Sequence, residues 1–158
     1  MILLPRDKII AAREARGSWE VLPPPALLQE HLGRDPWKVA VASMLLCRTH
    51  RRQAEPCFLK VLERWGAPEL LARAELAEVE TVCQPCGLRT ESTRNRARAM
   101  TRMSTKWFSS SWEDMRELPG VGLYVADAVG MFVFDCYELD SNDGVLHGYA
   151  ARATRKVA

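Results

Sequence analysis

The sequence lacks any hydrophobic run near the roughly 20 apolar residues that a membrane-spanning helix needs. Its first ten residues place Arg6 and Asp7 inside a short apolar stretch, so they also lack the hydrophobic region of a secretory signal peptide. We therefore expect an intracellular protein with no membrane partner, located in the nucleus of a eukaryote or in the cytoplasm or nucleoid of a prokaryote.

Cysteine is scarce and irregularly spaced. Five cysteines in 158 residues are an odd number, which favours reduced thiols over a disulfide framework. Cys83 and Cys86 have the spacing of half a zinc site, but no second pair exists and the three histidines lack ligand spacing. The sequence predicts no metal site, and the two thiols are interpreted as core or loop residues.

Signals for β-hairpins and repeats are missing too, and helical periodicity dominates. The predicted class is all-α. Asp35 is the expected N-cap of a buried helix starting at Pro36, and Ser110 or Ser111 is expected to cap a short helix that ends at Pro119. Further helices are predicted over residues 51–65, 68–82, 92–103 and 123–134. Residues 1–25 are interpreted as an N-terminal arm laid against a single domain, 26–158.

Charge is nearly balanced overall, with a formal net charge of +2, but one segment is strongly basic. Between Arg89 and Lys106, six basic residues oppose the single acidic residue Glu91. A solvated helix face would explain this equally well. The segment gains meaning only beside a second signal for nucleic acid.

That signal is the stretch LPGVGLYVADAV, residues 118–129. A tight Pro-Gly-Val-Gly turn before a helix leaves backbone N–H groups free at the helix start, where the helix dipole favours an anion. Glycines without side chains let a phosphate approach closely. Gly120, Val121 and Gly122 are therefore candidate phosphate-binding residues, although an ordinary glycine-capped turn has the same pattern.

Leu-Pro-Gly-Val-Gly between two helices resembles the helix-hairpin-helix motif of DNA repair proteins. The stretch LLQEHLGRDPWKVAVASMLLCRT, residues 27–49, is similar to the opening of the glycosylase domain of thymine/uracil mismatch glycosylases that carry a methyl-CpG-binding domain. The chain thus resembles the helix-hairpin-helix superfamily of DNA glycosylases over residues 26–150. This resemblance implies a helical bundle with its active-site cleft beside the hairpin.

The resemblance also implies an essential aspartate a little under twenty residues past the hairpin. Asp143 fits better than Asp140, because it lies 19 residues after Tyr124 and is followed by the family's leucine and tyrosine. A carboxylate beside C1′ stabilises the positive charge that develops on the sugar as the base leaves, and it can orient or deprotonate water. Capping the last helix is its alternative role, and the two roles are compatible.

Tyr124 stands where bifunctional relatives carry a lysine nucleophile. A phenol cannot form the Schiff base that leads to strand cleavage, so the resemblance implies a monofunctional enzyme. It also assigns Gln29, Ser43 and Tyr124 to the base pocket. The amide of Gln29 can pair with a carbonyl and the N3–H of thymine or uracil. A packing tyrosine and a surface glutamine are the alternatives.

Flipping a base out of the duplex leaves a gap that side chains must fill. The resemblance assigns this role to Arg48 and to Leu88. Arg89 and Arg94, which belong to the basic segment, are further candidate DNA-binding residues. Alternatively, Arg48 binds a phosphate and Leu88 packs beneath its own loop.

The expected function is therefore a monofunctional DNA glycosylase that excises a mispaired or modified pyrimidine, thymine or uracil opposite guanine, and so starts base excision repair. The alternatives are an inactive DNA-binding module and a glycosylase for 5-hydroxymethyluracil. We expect a monomer that acts on double-stranded DNA without a cofactor. No cysteine follows Cys136, so the iron-sulfur loop of many relatives is not expected, and the Ser-Asn-Asp-Gly around Asp143 departs from the Pro-Glu-Asp-His of similar enzymes.

Overall fold

A computed structural model describes residues 2–86 and 90–157. This part of the chain contains no β-strand, only an isolated bridge between Pro5 and Asp114. It is built from eight α-helices and two 3-10 turns, Gln84–Cys86 and Met115–Glu117. The helices are α1 Arg6–Glu14, α2 Pro36–Leu46, α3 Arg51–Arg64, α4 Pro68–Leu71, α5 Leu76–Cys83, α6 Thr90–Trp107, α7 Leu123–Phe134 and α8 Gly144–Val157. The all-α prediction is confirmed.

Helices α2 and α7 form the centre of the molecule and pack extensively on each other. Both are apolar on almost every face, which is typical of helices enclosed by others. Asp35 caps α2 as predicted, since its carboxylate accepts hydrogen bonds from the N–H groups of Trp37 (3.0 Å) and Lys38 (3.3 Å). The packing of α2 on α7 places the start of α7 beside the end of α2, where the site described below lies.

The N-terminal segment shares the hydrophobic core. Leu4 and Ile9 are fully buried, and the N–H of Leu4 donates to the Asp114 carboxylate over 2.9 Å. Arg13 of α1 also pairs with Asp35 at 2.7 Å. The segment interpreted as an arm therefore contains a helix that packs onto the central one.

Two local predictions are wrong. The helix predicted over residues 68–82 is two helices, α4 and α5. The serines near residue 110 do not cap a helix, because Ser109 and Ser111 hydrogen-bond to each other at 2.7 Å. Asp114 instead caps the turn Met115–Glu117, and the Glu117 carboxylate accepts from the Asp114 N–H at 2.8 Å. Such a reciprocal capping box satisfies two orphan donors and outcompetes a lone serine.

None of the helices in the described ranges is long and apolar enough to cross a membrane.

Candidate active site

The glycine turn before α7 adopts a backbone that requires glycine at one position. Gly120 has a φ of +79°, and a Cβ there would lie 2.9 Å from the Cβ of Ala99 and 3.0 Å from Cε of Met44. Gly122 is the N-cap of α7 and offers no side chain to the N–H groups of the first turn. Those groups remain available to an anion. Val121 is buried, so only its backbone can contribute.

Replacing Gly120 with alanine should lower the free energy of unfolding by about 1–3 kcal/mol, the usual cost of a non-glycine residue in a strained backbone region. The added methyl group would also press on α6 and α2. Gly122→Ala is the matched control, because Gly122 has a φ of −85° and no heavy atom within 4 Å of an added Cβ. Urea unfolding of both variants measures the difference, and equal losses would contradict the strain argument.

A pocket of about 540 Å³ opens beside this turn. Four of the predicted residues line it, although they are far apart in sequence: Gln29, Arg48, Tyr124 and Asp143. Its apolar wall is formed by Leu27, Leu28, Leu46, Val145 and Leu146. A concave site with an apolar wall and a few convergent polar groups is typical of small-molecule binding.

Asp143 lies at the start of α8, partly exposed to the pocket. Its Oδ1 accepts a hydrogen bond from the N–H of Leu146 at 2.8 Å, so the carboxylate caps the helix. Within the described residues, Oδ2 makes no hydrogen bond and is free to act in the pocket. Asp140 is exposed and does not line the pocket. The geometry therefore favours Asp143 over Asp140 as the reactive carboxylate.

Gln29 and Tyr124 form a joined pair in the pocket. The Gln29 side chain is almost fully buried, and its Nε2 donates to the Tyr124 hydroxyl at 2.9 Å. Burial, with the negative charge of Asp143 as a smaller contribution, raises the pKa of Tyr124 to about 12, although the hydrogen bond from Gln29 acts in the opposite direction. The phenol therefore stays protonated at neutral pH.

Ser43 was expected to line the base pocket, but the structure places it one layer deeper. It is fully buried, does not line the pocket and lies 3.5 Å from Nε2 of Gln29. Its residue type suits this position, since a small hydroxyl lets a glutamine amide pack against the apolar helix α2. Ser43 thus reaches the site through its contact with Gln29.

Arg48 follows α2 in an exposed loop, with a φ of +57°. Arg96 holds this loop, because its Nη1 donates to the carbonyl of Leu45 (2.5 Å) and to the hydroxyl of Thr49 (2.8 Å). Arg96 belongs to the basic segment, but this guanidinium supports the pocket wall from inside. Sequence reasoning missed this role, because nothing local marks a contact between residues 47 positions apart.

The remaining predicted DNA-binding residues are only partly described. Arg94 is exposed on α6, as are Arg98 and Arg102. Leu88 and Arg89 lie outside the described residues. In the part of the chain that the structure covers, no three His, Cys, Asp or Glu side chains are grouped closely enough to hold a metal ion.

No family model matches the chain, but individual relatives do. It is 30% identical over 124 residues to a methyl-CpG-binding domain protein 4-like protein of Arabidopsis thaliana, covering 78% of this chain and 27% of the relative. It is 29% identical to a thymine-DNA glycosylase of Aeropyrum pernix (82% and 59% covered) and 31% identical to a thymine/uracil-DNA glycosylase of Pyrobaculum aerophilum (60% and 43%). The chain therefore spans 27–59% of the length of these curated relatives.

Solved structures share the fold. A thermostable thymine-DNA glycosylase superposes with a TM-score of 0.60 at 18% identity, over 82% of this chain and 58% of that one. An endonuclease III trapped covalently on DNA gives 0.56 at 17% identity, over 84% and 62%. The predicted helix-hairpin-helix glycosylase fold is confirmed, and proteins named thymine-DNA glycosylase are found among both the relatives in sequence and the solved structures.

Proposed function

We propose that this member of the helix-hairpin-helix DNA glycosylase superfamily hydrolyses the bond between the sugar and a thymine or uracil mispaired with guanine in double-stranded DNA. The observation that carries the proposal is the convergence of Asp143, Tyr124 and Gln29 on one pocket beside the glycine turn. The similarity to proteins named thymine-DNA and thymine/uracil-DNA glycosylases supports the choice of base.

The base would be read by Gln29. Because its Nε2 donates to the Tyr124 hydroxyl, its carbonyl oxygen is the group left to accept a hydrogen bond. Thymine and uracil carry an N–H at position 3, whereas cytosine carries an acceptor there. A Gln29 held by Tyr124 in this orientation therefore favours thymine and uracil over cytosine in a flipped-out position.

Asp143 would supply the chemistry. As the C1′–N bond lengthens, positive charge develops on the sugar, and a carboxylate fixed beside it stabilises that state. The cap to the Leu146 N–H holds one oxygen, which leaves Oδ2 to face the sugar or to take a proton from the attacking water. The product is a free base and an abasic site.

The proposed partner is a single DNA duplex bound by a monomer. Backbone N–H groups after Gly120 would hold one phosphate, and the exposed arginines of α6 would hold others. Arg48, exposed at the mouth of the pocket, would fill the gap left by the flipped base.

Excision from oligonucleotide duplexes tests the proposal. Purified protein is mixed with duplexes containing T:G, U:G or 5-hydroxymethyluracil, and products are resolved on a gel after alkali treatment. Release from T:G or U:G is the expected result. Binding of every duplex without release would instead identify a DNA-binding module, and release of 5-hydroxymethyluracil alone would identify the other alternative.

We expect strand breaks only after alkali or heat, and no covalent complex when borohydride is added during excision. The reason is that Tyr124 has no amine to form a Schiff base with C1′. An endonuclease III-type enzyme with a lysine at this position serves as the positive control for trapping. Efficient trapping by the present protein would overturn the monofunctional assignment.

A further inference from the structure

A buried carboxylate on α7 joins the helix of Tyr124 to the segment that precedes Asp143. Asp127 is only 3% exposed and lies one helical turn after Tyr124. Its Oδ1 accepts from the N–H of Asp140 at 3.0 Å, and its Oδ2 accepts from the N–H of Ser141 at 2.8 Å. Both N–H groups belong to the irregular segment that leads into Asp143.

The same segment is held from its other side. Nε2 of His147 lies 2.7 Å from the carbonyl oxygen of Ser141, and because a carbonyl can only accept, this nitrogen is the donor. The N–H of His147 donates in turn to the carbonyl of Asp143 at 3.0 Å. A continuous chain of hydrogen bonds thus runs from the helix of Tyr124, through Asp127 and Ser141, to the helix of Asp143.

The charge of Asp127 is not offset by a cation, since no Lys, Arg or His in the described ranges forms an ion pair with it. Burying an unpaired carboxylate is costly unless hydrogen bonds compensate. Only a carboxylate offers one acceptor oxygen to each of two adjacent N–H groups, because an amide has a single oxygen. The hydrogen bonds from the N–H groups of residues 140 and 141 therefore offset the cost of burying the charge.

We propose that Asp127 is a positioning residue that fixes Asp143 relative to Tyr124, by anchoring the segment before α8 to α7. The inference rests on the proposed glycosylase function. Without the Asp127 carboxylate, the segment loses two hydrogen bonds that fix its position relative to α7. Asp143 then shifts away from the place that C1′ would occupy.

The test compares Asp127→Asn with the wild type in single-turnover excision on a U:G duplex. The maximal rate should fall about 100-fold, the size of effect that a misplacement of about 1 Å produces. The dissociation constant for the duplex should not change, because the Asp127 side chain is buried and cannot contact DNA. A maximal rate equal to the wild type, or a loss confined to affinity, would overturn the inference.

Asp114→Asn is the matched control, since Asp114 also accepts backbone N–H groups, but those of Leu4 and Arg116 and not those of the segment that leads into Asp143. It should lower stability and leave the maximal rate intact. Should Asp127→Asn fail to fold, His147→Ala breaks the same chain from an exposed position and should lower the maximal rate without altering affinity. An unchanged rate in that variant would refute the positioning role.

Hydrogen exchange separates this inference from the proposed function. In Asp127→Asn, the amides of Asp140 and Ser141 should lose protection while those of α2 keep it. If the wild-type protein excises no base, the proposed function fails, and hydrogen exchange still tests whether Asp127 holds residues 140 and 141. Unchanged protection at residues 140 and 141 would overturn the inference whatever the activity.

Discussion

Replacing Asp143 with asparagine is expected to abolish detectable excision, a loss of at least about 10²–10³-fold of the kind seen when one preorganised electrostatic group is removed. The amide cannot neutralise the positive charge that develops on the sugar, and it cannot take a proton from water. Affinity for the substrate duplex should be equal or higher, because a negative charge close to the DNA backbone is removed.

Asparagine separates the chemistry from the fold at this position. Asp143 caps α8 through a hydrogen bond from the Leu146 N–H, and asparagine is as good an N-cap as aspartate. The thermal midpoint of Asp143→Asn should therefore stay close to that of the wild type. A large loss of stability would show that the charge, and not only the acceptor oxygen, holds the helix start.

Asp140→Asn is the control for this experiment. Asp140 is exposed, does not line the pocket and contributes only its backbone N–H to Asp127. Its replacement should leave single-turnover excision unchanged. If Asp140→Asn were inactive and Asp143→Asn active, the assignment of the carboxylate would be wrong.

The features that could be predicted from the sequence are those with a local pattern or a known resemblance. The caps at Asp35 and Asp143 depend on residues two or three positions away, and both are found in the structure. The resemblance selected Gln29, Tyr124 and Asp143, which the structure brings to one pocket, while their roles in catalysis remain predictions.

Contacts between a side chain and a distant backbone group left no such pattern. Arg96 donates to the carbonyl of Leu45 across 51 residues, and Asp127 accepts from the N–H of Ser141 across 14. In the sequence, Arg96 is one of six similar basic residues, and Asp127 is a single acid in an apolar helix. Only the packing of α6 on α2, and of residues 140 and 141 on α7, gives them their partners.

The N-terminal segment shows the same difficulty on a larger scale. Its charges and its three consecutive prolines indicated an arm laid against the domain, but not that Arg13 is buried and directed at Asp35, 22 residues later. Nζ of Lys38 and Nε of Arg16 lie 3.6 Å and 3.5 Å from the same carboxylate. The fully buried Asp35 therefore joins α1 to the N-terminus of α2 as well as capping it.

Asp35→Ala should accordingly lower the free energy of unfolding by about 3–5 kcal/mol, the typical effect of removing one partner from a buried ion pair. Burial lowers the pKa of Arg13 and of Lys38 even with the opposing influence of Asp35 nearby, so both cations are costly to bury and depend on this carboxylate. Asp35→Asn keeps the cap and should lose less, because only the charge is removed.

Glu78→Ala provides the comparison for Asp35. Glu78 pairs with Arg64 at 3.2 Å, but about half of each side chain is exposed, so its loss should cost less than about 1 kcal/mol. Urea unfolding of the three variants measures the differences. Equal losses for Asp35→Ala and Glu78→Ala would mean that the buried charges contribute nothing to the docking of α1 on α2.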